Sequence, residues 1–92
     1  MARKSPAQLD REIAEALSDS MKPQELVAAA QKAHKGPWRT DLVVATIKKL
    51  WGGSATANAK KIWRYFRDDA RDVLNARFWA DVYLNKLGGT YD

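Results

Sequence analysis

From Ala55 to Leu87 the chain contains neither Pro nor Gly. No other feature constrains the fold as much. Pro interrupts a helix and Gly weakens one, so an uninterrupted run of this length favours helix. Ala55, Ala59, Ile62, Phe66, Val73, Ala80 and Leu84 recur at helical spacing and form one apolar stripe. As a single straight rod the run would span roughly 50 Å at 1.5 Å per residue. That exceeds the helices of ordinary globular domains. The run is therefore one long C-terminal helix or two helices with a bend near residues 68–71. Gly88-Gly89 ends it, and residues 88–92 are expected to be a loose tail.

The remaining punctuation also marks helices. Ser5-Pro6-Ala7-Gln8 joins a capping Ser, Pro at the first helical position and Gln three residues after the cap. Leu9, Ile13, Ala16 and Leu17 follow at helical spacing, which predicts a helix over residues 6–18, with residues 1–4 a loose tail. Pro23 opens a second helix with Leu26, Ala29, Ala30 and Ala33 on one face, ended by Lys35-Gly36-Pro37. Thr40 is the expected cap of a third, over 41–51, whose apolar arc is Val43, Val44, Ile47, Leu50 and Trp51. Its β-branched residues also suit a strand, but their spacing does not alternate. Gly52-Gly53 stops this helix and Ser54 can cap the next. The prediction is one domain over residues 1–92. It is all-α, a small bundle of four to five helices with a long C-terminal helix.

Composition excludes several classes. Hydrophobic residues make up 46% of the chain, including four Trp, so a modest core is within reach. The absence of Cys excludes disulfides, thiolate zinc sites and a cysteine nucleophile. No apolar run approaches the length of about 18 residues that a membrane span requires. The N-terminal residues lack the apolar core of a signal peptide. A cytoplasmic protein with no membrane partner is expected.

Charge is concentrated. Residues 32–67 hold nine Lys or Arg and one acid, Asp41, a net +8 (nine minus one). Residues 1–31 sum to −1 (four minus five) and residues 68–92 to −2 (three minus five), which restores the whole-chain +5. A concentrated positive field attracts phosphate backbones or acidic proteins. Lys60, Arg64, Arg67 and Arg71 recur along one side of the last run and would span roughly 16 Å of helix. Such a stripe is either a phosphate-contacting helix or a solvated face neutralised by Asp68 pairing with Arg64 and Arg71. Lys48 and Lys49 precede the Gly52-Gly53 turn, and Lys61 lies just off the stripe. A Gly pair before a helix exposes N–H groups to an anion, or is simply two caps in one turn. It lacks the Lys-Ser/Thr ending of a nucleotide P-loop. Helix, Gly turn and charged helix share the layout of a helix-turn-helix, but a Lys stands where that motif packs a small residue.

The aromatic residues divide between core and surface. Trp51, Trp63 and Phe66 suit the core. Trp38, Trp79 and Tyr83 are candidates for base stacking or for an interface, the last two because they project off the main stripe. Asn58, Arg64 and Arg67 are of the types that read base edges. Arg77 interrupts the apolar stripe, its stem covering the core edge and its head reaching Asp81, or else meeting a partner. His34 is the only histidine and has no metal-ligating neighbour in sequence. Asp68, Asp69 and Asp72 lack the pattern of a calcium loop. No catalytic residues, metal site or cofactor are expected. The expected function is a small binding protein that engages nucleic acid through Lys48, Lys49, Lys60, Lys61, Arg64, Arg67 and Arg71. The alternative is a regulator or inhibitor that grips an acidic protein, or a homodimer formed through the C-terminal helix.

Overall fold

The computed structural model describes residues 20–68 and 71–91. Among these residues the chain is all-helical and contains no strand. The helix expected over 6–18 and the tail at 1–4 lie outside the described residues. Helix α1 runs Pro23–Ala33, with Pro in the first turn where its missing N–H costs nothing. The Lys22 N–H donates to the Glu25 carboxylate at 3.1 Å, so an acid sits at the positive end of the helix. The buried face is Leu26, Val27 and Ala30. Ala33, expected on that face, is exposed.

Helix α2 spans Thr40–Trp51 and buries Val43, Val44, Ile47 and Trp51. Thr40 is its first residue rather than its cap; Arg39 holds the cap position and its carbonyl accepts from Val43 N–H at 2.8 Å. The Thr40 side chain instead helps lower the pKa of the Asp81 carboxyl. Leu50 falls at the edge of the arc and is 36% exposed. Gly52 follows with φ 55° and ψ −125°, a backbone state that a side chain disfavours. One 3-10 turn, Gly52–Ser54, then leads directly into α3, Ala55–Arg67. Ser54 stands before α3 but makes no capping bond.

Helix α3 buries Ala55, Asn58, Ala59, Ile62, Trp63 and Phe66. It stops at Arg67, and α4, Val73–Ala80, starts anew. The C-terminal run is therefore not one long helix. Asp72 caps α4, accepting from Asn75 N–H at 3.1 Å and from the Asn75 side-chain amide at 2.8 Å. Because the new helix resets the helical phase, Val73 leaves the apolar stripe and is 51% exposed. Helix α4 widens into a π-helical turn, Asp81–Lys86, closed by Leu87 N–H donating to the Val82 carbonyl at 2.9 Å.

Helix α1 packs on α2 and α3, the π turn packs on α2 and α3, and α4 packs on α3. Leu26, Val43, Ile47, Ile62, Trp79 and Val82 are fully enclosed where these elements meet. Each such side chain contributes roughly 1.5–3 kcal/mol by leaving water. Residues 88–91 are not loose. The Tyr83 hydroxyl donates to the Thr90 carbonyl at 2.8 Å and accepts from Thr90 N–H at 3.0 Å. Gly89 N–H donates to the Tyr83 carbonyl at 2.8 Å, and the Tyr91 ring meets Trp63 edge-on at 5.4 Å.

Candidate nucleic-acid interface

The basic residues fall at two ends of α1. Near its start, Lys61 Nζ donates to the Met21 carbonyl at 3.1 Å and the Gln24 amide donates to the Tyr65 hydroxyl at 2.7 Å. These bonds bring the second half of α3, with Arg64 and Arg67, beside the start of α1. Near the end of α1, Ala33 and Lys35 face Thr46, Lys49 and Leu50 of α2 across an open groove of ≈ 430 Å³. The 11 residues of α1 separate the two groups by about 16 Å. Successive phosphates of one strand in duplex DNA lie about 3.4 Å apart along the axis, so the two groups would meet phosphates roughly five steps apart.

The candidates differ in availability. Lys48 and Lys49 are exposed in the last turn of α2, where their charge also suits the helix dipole. Lys60 is half-buried on α3, one turn before the exposed Arg64. Lys32, Lys35, Lys48, Lys49 and Lys60 form no ion pair with any described residue. Lys61 is committed to Met21 and is an anchor more than a free contact. Arg67 lies 4.8 Å over the Trp63 ring, with its Nε 3.2 Å from the Asp68 carboxylate. Its charge is already shared with a ring and an acid. Asp68 pairs with neighbouring Arg67. Arg71 precedes α4 and stands outside α3, so the four-residue basic stripe ends at Arg67.

The aromatic expectations need larger correction. Trp79 is 0% exposed and Tyr83 is 2% exposed. Both are core residues and neither can stack a base or meet a partner from the surface. Extrapolating the stripe across residues 68–72 put them off the core because that extrapolation assumes an unbroken helix. Trp38 does reach the surface, at 36%. One face of its ring is covered by Phe78, at 5.1 Å and 12° between planes, and its edge meets Trp79 at 6.3 Å. Asn58 is buried and cannot enter a groove. Its amide nitrogen and the Trp79 indole nitrogen find no hydrogen-bond acceptor among the described residues. Arg77 is exposed and forms no ion pair with Asp81. The Asp81 carboxylate turns to Thr40 and Asn85, whose hydrogen bonds hold it below the ordinary carboxylate range.

Three residues of the α1–α2 groove carried no local signal. His34 bonds Thr46 Oγ1 through Nδ1 at 2.7 Å and the Pro37 carbonyl through Nε2 at 2.7 Å. Its ring meets Trp38 edge-on at 5.7 Å. Thr46 is twelve residues away in sequence, and Lys35 belongs to the basic block without any helical spacing of its own. No spacing rule joins these residues; only the α1–α2 packing does. Among the described residues no three His, Cys, Asp or Glu converge as metal ligands, and no helix is long and apolar enough to cross a membrane.

No family model, curated protein or solved structure matches this chain. The functional argument therefore rests on the chemistry of its surface.

Proposed function

We propose that this is a small cytoplasmic nucleic-acid-binding protein, folded as a bundle of four to five helices. It acts as a binder rather than an enzyme. The observation that carries the reading is the set of lysines that form no ion pair among the described residues, Lys32, Lys35, Lys48, Lys49 and Lys60. Lysines without carboxylate partners repel one another and favour an anionic partner that spans them. Arg64 extends the surface along α3. Capture is electrostatic, through phosphates, with Trp38 the one aromatic candidate at the surface.

The test is charge reversal at Lys48, Lys49 and Lys60, none of which lies in the core. Relative to the parent, K48E/K49E/K60E should reduce the log–log salt slope of oligonucleotide binding by about 3, one unit per lost phosphate contact. Unchanged affinity and slope contradict the proposal.

A second reading draws on a different observation. Val73 and Leu74 are exposed at 51% and 83% on the first turn of α4, beside exposed Arg71 and Arg77. An apolar pair flanked by arginines suits an acidic protein partner or a second copy. Light scattering that shows a dimer in the wild type and a monomer in V73S/L74S supports it, and a wild-type monomer removes the homodimer.

A further inference from the structure

The open groove at the end of α1 differs from the other basic regions. It joins two cations without an ion pair among the described residues, Lys35 and Lys49, to a hydroxyl, Thr46, beside the apolar Ala33 and Leu50. Behind the hydroxyl stands the single histidine. The Pro37 carbonyl can only accept, so the Nε2 that it meets at 2.7 Å must carry a proton. In the neutral ring Nδ1 is then an acceptor, and it takes the Thr46 hydroxyl proton across 2.7 Å. In the imidazolium both nitrogens donate, and Thr46 Oγ1 becomes an acceptor toward His34. Its own proton is then released, either toward the Leu42 carbonyl at a long 3.4 Å or into the groove. The proton state of His34 thus decides whether Thr46 can donate to a ligand in the groove.

We propose that this groove seats one phosphate of the bound strand on Lys35, Lys49 and the Thr46 hydroxyl, and that seating draws a proton onto His34. The inference rests on the nucleic-acid reading and adds a defined subsite with a pH dependence. The phosphate is an obligate acceptor and needs the Thr46 proton, which favours the imidazolium. The added ring charge beside the anion acts in the same direction. The charged groups on the elements that hold the ring are Lys32 and Lys35 at the end of α1, the Arg39–Asp41 pair at the start of α2, and Lys48 and Lys49 later on α2. Trp38, which joins His34 to Phe78 and Trp79 of α4, is uncharged. Neither partner of the His34 ring is ionisable in this range, so the histidine itself carries the proton change. Affinity for a strand should rise as pH falls, beyond any rise common to all variants.

The experiment follows the His34 ring and Thr46 methyl signals by NMR while the full chain is titrated with a single-stranded oligothymidylate, and separately with inorganic phosphate. Calorimetry in two buffers of different ionisation heat counts protons taken up. The expected result is movement of both signals with the oligonucleotide, and proton uptake on binding. T46V should bind roughly tenfold more weakly at acid pH, the cost of one hydrogen bond to a charged acceptor, and should take up fewer protons than the parent. H34Q should lose the pH dependence. K35Q/K49Q, altered only at exposed positions, should abolish the movement at His34 without touching its bonds. Oligonucleotide binding with His34 and Thr46 unmoved, and no proton uptake, overturns the subsite and leaves the wider basic surface standing. Movement with inorganic phosphate alone overturns the assignment to a strand. No oligonucleotide binding at low salt overturns both the subsite and the function on which it rests.

Discussion

The ring of Tyr83 stacks on Trp63 at 5.1 Å while its hydroxyl holds both the N–H and the carbonyl of Thr90. A side chain at Gly89 would collide with that ring. The ring is pinned on both sides and cannot retreat, so G89A should cost about 1–3 kcal/mol, as overpacking does. Chemical denaturation measures it, and an unaltered midpoint would show that the clamp yields. Asp81 offers a pH-dependent test. Hydrogen bonds from Thr40 and Asn85 depress its folded pKa, so its contribution is present above the unfolded value of about 3.9 and is lost as pH falls through the lower folded value. T40V should be less stable than the parent at pH 7, and the gap should narrow as acidification protonates Asp81 in both. A gap independent of pH contradicts the Thr40–Asp81 bond. At this scale the sequence was legible where exposure follows from helix phase, as at Lys48 and Lys49, which flank the apolar arc of α2. It was not legible for Lys61, whose role depends on the carbonyl of Met21, 40 residues away in sequence.

The elements were legible wherever local punctuation decides them. Pro23 opens α1, Gly36-Pro37 separates α1 from α2, and Gly52-Gly53 turns the chain into α3. The divide between α3 and α4 lacks both Pro and Gly. It is marked only by Asp72, an ordinary helix-surface residue by pattern that becomes a cap once the chain turns. Downstream of that phase reset Val73, expected inside, is exposed, and Trp79 and Tyr83, expected off the core stripe, are buried, whereas Ala80 and Leu84 pack against the core as expected. The tail was misread for a related reason, since a hydrogen bond from a buried tyrosine leaves no periodic trace. D72A removes the bond to Asn75 N–H and should cost about 1 kcal/mol, as cap deletions do. Faster amide exchange confined to the first turn of α4 would accompany it. If D72A leaves both stability and exchange unaltered, the capping account of the break fails.

At the scale of the molecule, the charge concentration along the chain becomes two basic groups at the ends of α1. The sequence contained the charge itself but not the division, because α1 and α3 are distant in sequence and meet only through packing. Lys32, Lys35, Lys48, Lys49 and Lys60 together offer about five phosphate contacts, which predicts a log–log salt slope near −4.5 on duplex DNA. The decisive measurement is the affinity of the unmodified protein for labelled duplex and single-stranded oligonucleotides across a range of salt. Between about 50 and 200 mM salt the duplex affinity should fall roughly 500-fold. A preference for single strands would bring the exposed part of Trp38 and the α1–α2 groove into play. Absence of binding at the lowest salt, or affinity that ignores salt, would contradict the account and leave the basic surface to an acidic protein.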